Sequence, residues 1–328
     1  MKNKEHLPSF SEPIDAIVLA GTHGDPSRLI QGKNKAFLNV DDRPLLRHVI
    51  DALLGTQSVA DIYVVGPIDQ MSKALPGVPE RVRLVEQQGN MLGNGLAGVH
   101  ASEGQMNTAR DPLRPFLVIS SDLPLVSSIA LDDFVARCAD DDKAADSAYG
   151  LMIGLVDEAA LAPFSETEIV RPFVELEFAR IRLANIYVGR PWALTNLQFL
   201  QTGFGFRKAV NWKNVLGLTL SFLSQPGGWQ AAWLTLRLQA TLLAARRGRR
   251  LYRWLRRWNT RERVEAYTSK VLGGPVRLVI SPFGGLSLDV DDEEDFRKLA
   301  GRYDDWMAIH DAARSEYLSG VSEANEPG

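Results

Sequence analysis

Short Val/Ile/Leu-rich runs alternate with helical patterns through the first part of this chain. Residues 14–20, 61–66, 82–86 and 115–120 are apolar runs of strand length. Between them, Pro44–Gly55 carries apolar residues at helical spacing, with Pro at its start and Gly at its end. Leu92–Ala101 and Ile129–Ala139 read the same way. Such alternation predicts an α/β fold with a largely parallel sheet covered on both faces. Ligands in such sheets bind beyond the carboxyl ends of the strands. Residues 196–268 break the pattern: rich in Leu, Trp and Arg, they predict a helical insertion. Strand character returns in Gly273–Val290, and a terminal helix is expected at about 292–317, its apolar pattern clearest over Leu299–Tyr317. Residues 1–12 read as a disordered lead, 13–328 as a single domain, and Leu318–Gly328 as a disordered tail.

Composition narrows the classes. The chain has 328 residues, 45% hydrophobic and 23% charged, enough for one large globular domain or a domain with an insertion. A formal net charge of −3 gives no global attraction to nucleic acid, so none is expected as a partner. Cys138 is the single cysteine, which rules out an intramolecular disulfide, and its helical context reads as packing. One Cys and five His argue against a thiolate or His-rich metal site. The polar N-terminus shows no secretory signal, and no apolar run reaches the ~18 residues of a membrane span. A cytoplasmic protein is expected, of oligomeric state the sequence leaves open.

Three segments carry the chemistry. Ile14–Leu38 reads as a buried strand and then a Gly-broken loop, Gly21-Thr22-His23-Gly24, followed by Arg28, Lys33 and Lys35. Glycines let the backbone approach a ligand closely, and loop amides with fixed cations suit phosphates. Phe116–Val126 is an apolar strand ending in Asp122-Leu-Pro124. Leu286–Phe296 is a strand that passes through Asp289-Val-Asp291 into an acidic helix start. Both the loop and Asp122 follow strand ends, so cations and a carboxylate share one rim.

Together these segments resemble the MobA-like NTP transferases, the family of molybdopterin guanylyltransferase. Relatives typically read LAGGxGxRL…K, then a strand ending in DLP or DMP, then DVD or NIN before a helix. The matches fall in the expected order along nearly the whole chain. The resemblance implies a three-layer Rossmann-like nucleotidyltransferase fold of the nucleotide-diphospho-sugar transferase type, with a mostly parallel mixed sheet and the helical insertion. It implies transfer of NMP from an NTP to a phosphorylated or otherwise anionic acceptor, with pyrophosphate released. The acceptor is a small molecule or lipid-linked.

Charge gathers at the α-phosphorus in that transition state, so Mg²⁺ (or Mn²⁺) and fixed cations are expected around it. The resemblance makes Asp122 the first metal ligand and Asp291 the second, with Asp289 in reserve. It places Leu19, Ala20, Gly21, Thr22, His23, Gly24, Arg28, Lys35 and Asn94 against the nucleotide, and Lys35 on the triphosphate. The loop departs from the family: Thr22 replaces the second Gly, and two more residues precede Arg28. Gln88–Leu96 is similar to the base-reading loop, where Asn94 meets a base edge; the other reading is a helix N-cap by Asn90 or Asn94. Arg171, Asn185 and Lys208 lie where relatives meet the acceptor, although Ala184 stands where relatives have Gly. For Asp292–Asp295 the favoured reading is a solvated helix start.

Two alternatives stay open. One is a glycosyltransferase on the related nucleotide-sugar-binding fold, disfavoured because Asp122 is followed by Leu-Pro rather than x-Asp. The other is a non-catalytic nucleotide-binding or membrane-peripheral protein. Arg237–Trp258 bears on the latter: it reads as one continuous helix with many Arg and no acid, and Leu251, Trp254, Leu255 and Trp258 share a face. That face is expected to pack on the core, leaving Arg in solvent. The other reading lays it on an anionic membrane surface.

Overall fold

The computed structural model describes residues 10–21, 29–106, 110–167, 173–200, 228–247 and 249–324. Its centre is an eight-stranded sheet. Four strands fall where the apolar runs predict them: β1 (Ile14–Leu19), β4 (Val59–Gly66), β5 (Val82–Glu86) and β6 (Phe116–Ser120). β2 (Asn39–Val40) and β3 (Arg43–Pro44) form a separate small hairpin. β7 (Leu151–Asp157), β8 (Val174–Glu175), β9 (Arg180–Gly189) and β10 (Val276–Ser281) complete the main sheet. The order is β10-β7-β9-β6-β1-β4-β5, with β8 paired to β9. β1 runs parallel to β4 and β6, β4 to β5, and β10 to β7. β9 runs antiparallel to both β6 and β7, so the sheet is mixed but mostly parallel.

Strand alternation sorts the core into two layers. Ile14, Ala16 and Val18 point into the main core, while Ile17 points the other way, to Val65, Val99 and Phe116. On the main side lie α1 (Leu45–Leu54) and α4 (Ser128–Lys143), which bury Leu45, Leu46, Val49, Ile50, Leu131, Phe134 and Val135. Cys138 is fully buried there, and burial pushes its thiol pKa up, as packing requires. On the other side lies α3 (Met91–Met106). Two shorter helices, α2 (Ile68–Ala74) and α5 (Glu158–Leu161), follow β4 and β7.

After residues 196–200, the described part of the insertion and its exit holds three helices: α6 (Trp229–Arg247), α7 (Arg249–Arg256) and α8 (Arg261–Leu272). The expected continuous Arg237–Trp258 helix is therefore two helices. The chain folds back: Arg237 Nε donates to Asn259 Oδ1 at 2.9 Å, and Asn259 Nδ2 donates to Thr241 Oγ1 at 3.0 Å. Buried hydrogen bonds of Asn259, which also donates to Glu175 O at 3.0 Å, favour the hairpin. The expected burial of the Leu/Trp face also fails: Leu251, Trp254 and Trp258 are exposed, and Leu255 is half-buried.

α9 (Glu293–Ala324) closes the fold and runs past Leu318, where a disordered tail was expected. Phe296, Leu299, Tyr303, Trp306 and His310 recur at helical spacing and are buried. Trp306 meets Phe164 edge-on at 6.2 Å between ring centroids.

Candidate active site

The site is assembled at the end of β1. Ala20 N donates to Val65 O at 2.8 Å, which extends the β1–β4 pairing by one residue. Ala20 O accepts from Asn34 Nδ2 at 2.9 Å. Asn34 Oδ1 in turn accepts from Ala36 N at 3.1 Å, capping the 3-10 turn Lys35–Phe37. One amide thus ties the Lys35 turn to the strand end. A tight turn at Gln31-Gly32, both at positive φ (51° and 72°), brings the chain into that segment.

Lys35 meets two other parts of the chain. Its Nζ ion-pairs with Asp122 Oδ2, lies 3.6 Å from Asp291 Oδ1, and donates to Val290 O at 3.1 Å. Asp122 is fully buried just beyond β6, and Ser120 Oγ donates to its Oδ1. Backbone holds the third part in place, since Val290 N donates to Asp122 O at 3.4 Å. Asp289 is buried too. Burial alone lowers the Lys35 pKa, but the carboxylates of Asp122, Asp289 and Asp291 outweigh it, so the net shift is upward. Asp292 caps α9, accepting from Glu294 N at 3.0 Å and Asp295 N at 2.9 Å, while Asp295 Oδ2 accepts from Asp291 N at 3.1 Å. The acidic run after Asp291 is therefore a helix start.

Two carboxylates and a carbonyl oxygen converge on one cationic nitrogen. Such an all-oxygen set suits Mg²⁺, which takes one or two carboxylates and completes its shell with phosphate oxygens and water. Among the described residues, no group of three or more His, Cys, Asp or Glu forms a metal cage. Asp122, Asp289 and Asp291, the expected metal set, do not form such a cage.

The opposite wall is α3 and the loop before it. Gly21 sits so close to Asn94 that a Cβ there would collide with the Asn94 side-chain amide. Asn94 is buried within the first turn of α3, and its Oδ1 accepts from Gln88 N at 2.6 Å. Asn90, not Asn94, caps the helix, accepting from Gly93 N at 2.8 Å. Asn94 is thus placed beside Gly21, but its carbonyl is spent on holding Gln88 N. Leu19 lines an apolar cavity of about 120 Å³ with Met91, Leu92, Val118, Tyr187 and Leu197.

The remaining expected residues divide. Asn185 is buried in β9, and continuing the Ile119–Ile186 register places it opposite Ser120, on the Asp122 rim. Thr22, His23, Gly24, Arg28, Arg171 and Lys208 lie outside the described residues. Asn34 and Ser120 are site residues that the sequence did not single out. The position of Asn34 directly before the Lys35 turn was the available signal for it.

A mixed, mostly parallel Rossmann-like sheet with a cation and carboxylates on its carboxyl rim is the architecture of nucleotide-handling transferases. The family model of the MobA-like NTP transferase domain matches residues 16–263, and this chain belongs to that family. Among solved structures, a hypothetical transferase from Thermus thermophilus is 21% identical, with TM-score 0.55 over 86% of this chain and 99% of that one. A CMP:2-keto-3-deoxy-manno-octonic acid synthetase complexed with CTP is 11% identical, with TM-score 0.46 over 90% and 99%. A 4-diphosphocytidyl-2C-methyl-D-erythritol synthase from Anaerococcus prevotii is 10% identical, with TM-score 0.44 over 89% and 96%. The first of these shares the fold. No curated protein matches the chain.

Proposed function

We propose that this protein is a metal-dependent nucleotidyltransferase, moving NMP from an NTP to an anionic acceptor and releasing pyrophosphate. The observation that carries this reading is Lys35 held between Asp122 and Asp291, in a turn tied to the end of β1, in a chain of the MobA-like family. Asp122 and Asp291 would hold Mg²⁺ (or Mn²⁺), with Asp289 adding negative charge behind them. The metal, when bound, neutralises phosphate charge and favours attack at the α-phosphorus. Lys35, beside those carboxylates, would serve the phosphates beyond the α position. Gly21 lets the loop backbone approach the nucleotide, and Gln87–Gln88, shaped by Asn94, face the base. Asn185 stands on the acceptor side of Asp122, where Arg171 and Lys208 supply charge for a phosphorylated or carboxylated acceptor, free or lipid-linked.

The test is a pyrophosphate-release screen of the four NTPs with Mg²⁺ or Mn²⁺ against sugar phosphates, cofactor precursors and lipid phosphates. One combination is expected to release pyrophosphate in step with nucleotidylated product. Asp122→Asn keeps the Ser120 contact and the fold, yet abolishes that release. A fully active Asp122→Asn protein would remove the metal-site assignment.

A further inference from the structure

We propose that the α6–α7 hairpin lies flat on an anionic membrane surface, with its tryptophans in the headgroup region. This rests on the insertion alone and does not depend on the nucleotidyl-transfer reading. Along α6, Trp229, Trp233, Leu236 and Leu243 are exposed at helical spacing and form one stripe. Along α7 and its exit, Leu251 (54% exposed), Trp254 (57%) and Trp258 (47%) form another.

The orientation of α7 is the deciding observation. Two side-chain hydrogen bonds tie it to the core: Tyr252 Oη donates to Glu175 Oε2 at 2.7 Å, and Arg256 Nε donates to Leu176 O at 2.5 Å. At about 100° per residue, Tyr252 and Arg256 lie on one side and the Leu251–Trp254–Trp258 stripe points away. An ordinary surface helix does the reverse, burying its apolar stripe. Here polar anchors hold the helix with its apolar face outward.

Charge identifies what covers that face. No Asp or Glu occurs between Glu177 and Glu262, a stretch that carries fifteen of the chain's 37 Lys and Arg. Eight of these, all Arg, lie within Arg237–Arg257, so against a whole-chain charge of −3 positive charge gathers on the hairpin and its exit. Arg250, Arg253 and Arg257 are exposed along one border of the α7 stripe. Arginine beside exposed Trp and Leu suits the interface of a bilayer bearing anionic lipids. No described helix is long and apolar enough to cross a membrane, which leaves the in-plane arrangement. Trp and Arg also bind single-stranded nucleic acid, by stacking. The aliphatic Leu236, Leu243 and Leu251, which share the stripes and do not stack, favour lipid.

The full-length protein is sedimented with vesicles of phosphatidylcholine alone or mixed with phosphatidylglycerol, at low and high salt. It is expected to pellet with the anionic vesicles at low salt only, with a blue shift in Trp emission. Trp254→Ser with Trp258→Ser is expected to weaken partitioning by about tenfold or more, since burial of apolar side chains supplies part of the affinity. Arg250→Glu with Arg257→Glu should abolish the preference for phosphatidylglycerol. These side chains are exposed, so an unchanged circular dichroism spectrum is expected. Should a variant fail that control, quenching of wild-type Trp emission by brominated lipid decides the matter. No pelleting with anionic vesicles, wild-type partitioning of the Trp pair variant, or binding to single-stranded nucleic acid without vesicle binding would each overturn the proposal.

Discussion

The ammonium of Lys35 rests on the buried carboxylate of Asp122, which joins the turn after β1 to the end of β6. The same ammonium reaches Val290 O and Asp291, so one side chain links three distant segments. It neutralises carboxylates that would otherwise repel one another. Its upward-shifted pKa keeps it charged throughout the neutral range.

Lys35→Ala is expected to weaken NTP binding more than NMP binding, because its charge serves phosphates beyond the α position. A charge-assisted hydrogen bond of this kind contributes about 1.5–3 kcal/mol. Calorimetric titration of both nucleotides checks it, and equal losses for the two would refute the assigned role.

Gly21 and Asn94 are expected to be coupled. Gly21→Ala places a methyl against the Asn94 amide, and overpacking of this kind costs about 1–3 kcal/mol. Asn94→Ala alone strips Gln88 N of its acceptor, a loss of about 1 kcal/mol. In the double variant the clash is gone, so its destabilisation should fall short of the sum by roughly 0.5–3 kcal/mol. Strict additivity in thermal unfolding would mean that the two residues do not touch.

Much of this arrangement was legible in the sequence, for physical reasons. β1, β4 and β6 are central strands, and their Val/Ile/Leu runs betray burial on both faces, while the shorter β5 at the sheet edge shows through its Val and Leu. β9 escaped notice because Arg182 and Asn185 interrupt its apolar pattern, although it is the antiparallel strand that carries Asn185 to the rim. Asp122 stood out as a carboxylate at a strand end, Lys35 and Asp291 through the resemblance to the MobA-like family, and the structure brings all three together. Asn34 did not stand out, because a polar residue after Gly32 reads equally well as a turn. For α7, helical spacing correctly grouped Leu251, Trp254 and Trp258 on one face. Spacing carries no information about what that face meets, and there the core-packing expectation failed.

Acid should weaken the fold through two buried histidines. His48 Nε2–H donates to Val40 O at 3.0 Å, and its Nδ1 accepts from Tyr303 Oη at 3.1 Å, so the ring is held neutral. Burial lowers the pKa of His48 and of His310 below 6.5. A folded state that binds these protons less readily than the unfolded chain keeps its full stability above about pH 6.5. That stability is lost as pH falls below this value through the lowered folded pKa values. Unfolding temperatures measured from about pH 8 to about pH 5 should drop over the acid half of the range. The drop should be shallower in His310→Leu, whose Nε2 makes no hydrogen bond in the native fold. An identical pH profile for wild type and His310→Leu would exclude His310 as a source of the acid sensitivity.

Asn34 is expected to act as a positioning residue for Lys35. Its Oδ1 caps the Lys35 turn and its Nδ2 donates to Ala20 O, so the two bonds are separable by substitution. Asn34→Ala removes both; loss of an N-cap alone costs about 1 kcal/mol. Asn34→Asp keeps the cap but replaces the donor to Ala20 O with a second acceptor, and the resulting repulsion pushes the turn away from β1. If the tie to β1 aims Lys35, both variants bind NTP more weakly, while Asn34→Asp retains more thermal stability than Asn34→Ala. If only the cap matters, Asn34→Asp binds NTP as the wild type does. Parallel measurement of unfolding temperature and of NTP and NMP affinity distinguishes these outcomes. A wild-type NTP-to-NMP affinity ratio in both variants would show that Asn34 supports the fold without directing the Lys35 charge.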